Sequence, residues 1–178
     1  MEWGQQVKQG NEQALQSFYQ TTGKRFERVE RKSLIIDSST SAAHKTFSLT
    51  LHEPLTIDKL SDVYLDSFTT YNCVQSNAAV KSWFLLGINE LNTNSNSAAT
   101  TSDFTNKTFN KILIPNSQSG TTLDVAVTHK NKKFNYICSI NPTTISSVNG
   151  SVTLIDGSST AFADTGRFIA EFVFVARD

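Results

Sequence analysis

Three histidines, two cysteines and a spaced set of aspartates are the residues of this chain best suited to chemistry. His44, His52 and His129 lie far apart. The sequence has no HExxH, no GxSxG elbow, no Walker loop and no CxxC. His52-Glu53 is an adjacent pair without any anchoring motif, and it reads as a histidine in a surface turn. Asp58, Asp62 and Asp66 recur every four residues. On a helix they would share a face and could act as paired carboxylates or calcium ligands. On a strand, Asp62 and Asp66 share a face but stand about 13 Å apart, by the rise per residue. That is too far for one metal ion or one acid–base pair, so solvated positions at strand ends are expected. The reading is of a non-enzyme with no catalytic, metal or cofactor site.

The remaining reactive groups point the same way. Cys73 and Cys138 both sit in or beside apolar strand text, where a buried free thiol is common, and reduced thiols are expected. Lys24, Arg25, Arg28, Arg31 and Lys32 cluster, but Glu27 and Glu30 interrupt them. A phosphate-binding stripe would lack those acids, so a mixed-charge face or a salt-bridged contact is expected. Lys130, Lys132 and Lys133 read as a basic turn that keeps a hairpin tip soluble. The formal net charge is zero, so no global field favours nucleic acid, and no direct nucleic-acid partner is expected. The start, MEWGQQVKQG, has no apolar core of a secretory signal, and no run approaches the length of a membrane span. The sequons at Asn106 and Asn149 are read as accidents of a chain rich in Asn, Ser and Thr.

The elements that position these groups read as strands. Ser, Thr and Asn make 56 of the 178 residues, and with 12 Phe this is the composition of strands joined by polar turns. The stretch Leu60–Leu91 is the expected centre. Its first half, LSDVYLDSFTTYN, is expected to place Val63, Leu65 and Tyr71 on one face and Tyr64 and Phe68 on the other. Its second half, SWFLLGINEL, sets Trp83 and Leu85 against Phe84, Leu86 and Ile88. Phe47, Leu49 and Leu51 mark a half-buried strand. Further strands are expected over 109–114, 123–128, 134–140 and 152–155, with turns at Asn149-Gly150 and Asp156-Gly157. The chain closes on 167–176, where Phe168, Ala170, Phe172 and Phe174 oppose Ile169, Val173 and Val175. A strand apolar on both faces belongs in mid-sheet. Nine or ten short strands, without βαβ alternation, predict one all-β sandwich or barrel over 25–178.

Two segments stand outside that sandwich. Residues 1–24 are Gln-rich, with a short helix expected over Glu12–Tyr19, and form an amino-terminal arm. Trp3, Leu15, Phe18 and Tyr19 are too few to make a core, so some other surface is expected to cover them. The long polar loop 92–106 carries Phe104 as its one large apolar residue after Leu91. Such loops bind something or stay mobile. The predicted interface residues are therefore Trp3, Leu15, Phe18, Tyr19 and Phe104.

The run from Ser33 to Asn72 contains LIIDS, the strand Phe47–Leu51 and EPLTIDKLSDVYLDSFTTYN. With FLLGINEL (84–91), TTISSVNGSVTLIDG and RFIAEFVFVARD, it resembles the single-jelly-roll minor capsid and penton-type proteins of large icosahedral DNA viruses, the Chlorella-virus and mimivirus-like group. Residues 33–91 and 134–178 carry the likeness, a loose pattern of strands and turns. Ser38-Ser39-Thr40 departs from it, where a more charged turn is expected. The resemblance implies an eight-stranded jelly roll of two packed antiparallel sheets. It also implies a virion location after assembly in the host cytoplasm, with copies of itself and other major and minor capsid proteins as partners. A trimeric fibre-head or receptor-binding domain and a carbohydrate-binding sandwich are the rival readings.

Overall fold

The computed structural model describes residues 30–38, 46–93, 109–120, 125–129, 135–158 and 161–177. The arm 1–24 and most of the 92–106 loop, with Trp3, Leu15, Phe18, Tyr19 and Phe104, lie outside the described residues, as do His44, Asn106 and Lys24, Arg25, Arg28, Lys130, Lys132 and Lys133. The described chain is all-β. Its strands are β1 (Arg31–Asp37), β2 (Thr46–Ile57), β3 (Ser61–Cys73), β4 (Trp83–Ile88), β5 (Ile112–Pro115), β6 (Ala126–Thr128), β7 (Asn135–Ile140), β8 (Thr143–Leu154) and β9 (Phe162–Ala176). A single 3-10 turn, Ala79–Lys81, interrupts them.

Two antiparallel sheets pack face to face. Sheet A runs β1-β9-β3-β6, with β7 also pairing β3; sheet B runs β2-β8-β4-β5. β6 and β7 lie along different parts of the same strand, β6 at Thr69–Tyr71 and β7 at Ser61–Leu65. The pairing is nested: β1 with β9, β2 with β8, β3 with β6 and β7, β4 with β5. The strands expected to be central are so. β9 lies between β1 and β3, and β4 between β8 and β5.

The core follows from side-chain alternation on these strands. Phe168, Ala170, Phe172 and Phe174 of β9 are buried, as are Phe84, Leu86 and Ile88 of β4. Phe47 meets Phe168 edge-on, with ring centroids 5.5 Å apart, and Phe68 stacks on Phe168 at 5.5 Å. Such pairs add to the burial itself. Ser38, where the loose capsid pattern wants charge, is wholly buried. Its amide donates to the Phe168 carbonyl at 3.1 Å, and its Oγ accepts from the Phe168 amide at 2.8 Å. It thereby extends the β1–β9 pairing by one residue.

Two expectations fail, each for a physical reason. Phe68 is buried together with Val63 and Leu65, while Tyr71 points outward with Tyr64. A bulge between Leu65 and Ser67 adds one residue to β3 and reverses the alternation after it. Asn149-Gly150 is no turn: it lies inside β8, paired to Ser48 and Phe47 on one side. Gly150 supplies close approach there, since a Cβ would sit 2.5 Å from the Phe47 ring and closer still to the Gly87 carbonyl. Asp156-Gly157 does turn, with Gly157 at φ 78° and its amide donating to Leu154.

Candidate interaction surface

Register lays out the outer face of sheet A. One row is Ser33, Val173, Tyr64 and Tyr136; the next is Arg31, Val175, Asp62 and Ser139. Ile35 follows beside Glu171, and further along come Asp37, Ile169, Thr69 and Thr128. Ile35 is 63% exposed and Tyr136 50%; Val173, Val175 and Ile169 are half-buried. Tyr64 and Tyr136 meet edge to face with centroids 5.8 Å apart. Apolar and aromatic groups thus share the middle of a surface that water reaches with Ser33 and Glu171. This is the outward side of β9, which the sequence marks as apolar on both faces.

Ion pairs frame that patch. Arg177 donates from Nε and Nη2 to the Asp62 carboxylate, at 2.9 and 2.6 Å. Ser139 Oγ donates to Asp62 at 2.8 Å while accepting from Arg177 Nη2 at 2.8 Å and standing 2.9 Å from the Tyr136 hydroxyl. With Tyr136 donating, the Ser139 hydroxyl uses its one donor and both acceptor sites. The Arg177 guanidinium, and then Ser139, hold the Asp62 carboxyl below its ordinary 3.8. At the far end Arg167 clasps Asp37, with Nε donating at 2.7 Å.

The two flanks of the sandwich differ. On the β1–β2 flank Lys32 Nζ donates to the Thr56 carbonyl at 2.6 Å and to Asp58 at 2.7 Å, and contacts Glu30 at 3.0 Å. An ammonium has three protons, and all three are placed. Of the basic cluster, then, Lys32 joins one sheet edge to the other as a salt-bridged contact. On the opposite flank a recess of about 320 Å³ opens between β5 and β7, lined by Trp83, Thr93, Lys111, Leu113, Tyr136 and neighbouring residues. Tyr136 belongs to both the recess and the outer face. The two make one continuous surface.

The aspartates are not brought together: Asp58 serves Lys32, Asp62 serves Arg177, and Asp66 is exposed. His52 and Glu53 are exposed on β2. Among the described residues no group of three His, Cys, Asp or Glu side chains could hold a metal ion. Also among them, no helix is long and apolar enough to cross a membrane. Asn149 is held by Glu90, whose carboxylate accepts from its amide at 3.0 Å and from its Nδ2 at 2.9 Å, which leaves that sequon inside a paired strand. Cys73 and Cys138 are free and buried. Cys138 pairs with Val63, ten residues along β3 from Cys73, so they stand roughly 30 Å apart by strand rise. A disulfide needs Cα atoms within about 7 Å.

The residue that sequence reasoning missed is His129. Read as the start of a basic turn, it is 2% exposed. The Ser117 amide donates to its Nδ1 at 2.9 Å, so the neutral ring carries its proton on Nε2, which lies 2.6 Å from Thr70 Oγ1. Phe84 and Phe68 flank the ring, with centroids 5.1 and 5.7 Å away. Burial lowers its pKa to about 4, opposed only in part by the Pro115 carbonyl. A signal exists in hindsight, since His129 directly follows the apolar alternation Leu123, Val125, Val127.

No protein-family model, curated protein or solved structure matches the chain.

Proposed function

We propose that this chain is a single jelly-roll sandwich serving as a structural capsid protein, of minor-capsid or penton type, in the shell of an icosahedral DNA virus. The nested pairing supports the jelly roll. Counting β6 and β7 as two pieces of one strand leaves eight strands. Every connection then crosses between sheets except β4 to β5, as in a long hairpin rolled into two Greek keys. A jelly roll serves shells, lectins and enzymes alike, so the site must carry the function. The single observation that carries it is the outer face of sheet A, where Ile35, Tyr64, Tyr136 and Val173 present apolar and aromatic surface framed by ion pairs. Aromatic and apolar groups exposed on a sheet face, with ion pairs at its ends and Glu171 as a carboxylate among them, fit a protein–protein interface.

The partners in this reading are copies of the chain and other capsid proteins, without direct nucleic-acid contact. The arm adds a second contact, with Trp3 and Phe18 as aromatic anchors on an adjacent subunit. Deletion of residues 1–24 tests that part. The truncated protein is expected to keep its melting temperature and to fail to join the assembly; unfolding of the truncated chain would make the arm part of its own core. The recess flanked by Trp83 and Tyr136 favours a second reading, a carbohydrate-binding sandwich, since sugars dock on aromatic faces. A glycan array separates the two.

A further inference from the structure

We infer that His129 is an acid-sensitive latch that holds the loop end of the sandwich closed when neutral and releases it when protonated. Three elements meet on this ring: Thr70 of β3, the Ser117 amide just after β5, and Phe84 of β4. The backbone amide of His129 also donates to the Phe68 carbonyl at 2.9 Å. The backbone that carries the ring is thus held to β3, and the ring itself by Thr70 and Ser117.

What the latch holds is a polar knot of two loops. Asn116 Nδ2 donates to the carbonyls of Val74 and Lys81, at 2.9 and 2.8 Å, and its amide to Ser82 at 2.8 Å. The Gln118 amide donates to Asn116 Oδ1 at 3.0 Å, and the Ser76 amide to the Gln118 carbonyl at 2.9 Å. Asn116 and Gln118 are buried. Ser117, between them, is tied to the sandwich interior by its bond to His129.

Protonation is incompatible with this geometry. A second proton on Nδ1 turns the acceptor into a donor facing the Ser117 N–H at 2.9 Å, so that bond is lost. The charge would then stand between two phenyl rings. Among the described residues the groups packed on the ring are Phe68, Phe84, Thr70, Ser117 and Pro115, and none of these carries a negative charge. The proton therefore binds the opened arrangement in preference. With an ordinary histidine at 6.5 when open and about 4 when closed, the opening constant rises about tenfold per pH unit between those values.

Amide hydrogen exchange of the wild-type chain, read residue by residue between pH 7 and 4.5 and corrected for intrinsic rates, tests this. Protection at Asn116, Ser117 and Ser76 is expected to fall about tenfold per unit below pH 6.5, with protection at Leu65 and Phe172 unchanged. His129→Gln should remove the pH dependence at those three amides. Flat protection at Ser117 across the range would overturn the latch. So would a parallel fall at Leu65 and Phe172, which would mean that the proton acts only through global unfolding.

Discussion

Gly150 of β8 lies directly beneath the ring of Phe47 of β2, with no room for a methyl group between them. A Cβ on Gly150 would stand 2.5 Å from the Phe47 Cζ and would also press on the Gly87 carbonyl of the neighbouring strand. Phe47 is itself fixed edge-on against Phe168, so neither obstacle can move freely. Gly150→Ala is expected to lower stability by about 2–3 kcal/mol, the usual cost of overpacking. At Gly87 the three nearest atoms all belong to the flexible end of Lys111. Gly87→Ala should cost well under half as much. Urea denaturation midpoints of the two variants check the contrast, and equal losses would contradict it.

The bulge in β3 makes a second pair of expectations. Phe68 is fully buried against Phe168 and Phe84, whereas Tyr71 stands on the outer face. Phe68→Ala should cost about 3–5 kcal/mol, as large cavities in a core do. Tyr71→Ala should stay near the small values of surface changes, within about 0.5 kcal/mol. Thermal melts of both variants decide the matter, and a reversed ranking would place the bulge elsewhere.

These two sites also show what could be read from the sequence. Strict alternation is visible where a strand is regular, and β4 and β9 were legible to the face of each residue. A bulge leaves no mark in composition, so Phe68 and Tyr71 exchange sides without any local signal. Asn149-Gly150 carries the strongest short turn signal available, yet Gly150 is there for lack of a side chain and not for freedom of φ. His129 failed for a related reason. Lys130, Lys132 and Lys133 follow it in sequence, and its neighbours in space, Thr70 and Ser117, come from other elements. The outer face of sheet A was legible only as a strand apolar on both sides; that Ile35, Tyr64 and Tyr136 join it depends on strand order.

Asp62 should make stability depend on acid. Its carboxyl is held below 3.8 by Arg177, so the folded state prefers it ionised. The stabilisation is complete above pH 3.8 and is lost as pH falls through the lower folded value. Asp62→Asn should therefore cause a small loss at pH 7, typical of an ion pair near the surface, and a smaller one in strong acid or high salt. Paired melts of wild type and variant across pH 2 to 7 measure it. A difference that grows on acidification would contradict the assignment.

The thiols should be silent in the native protein. Burial pushes the Cys138 thiol up to about 11, with the Asp62 charge adding to it, and raises Cys73 as well. At pH 8 neither supplies much thiolate. A disulfide reagent is expected to titrate no thiol quickly in the native state and two after denaturation. Intact mass without reductant should show both cysteines reduced. Fast native labelling, or a loss of two hydrogens, would count against this.

Assembly through the outer face of sheet A is most directly tested by sedimentation velocity on the purified full-length chain and its Ile35→Lys variant. Ile35 is 63% exposed on the outer face of β1, so the substitution should leave the melting temperature nearly unchanged. The wild type is expected to sediment as a closed oligomer, a pentamer if it forms a vertex, and the variant as a monomer. A wild type that stays monomeric at every concentration, or a variant that assembles as well as its parent, would contradict the account.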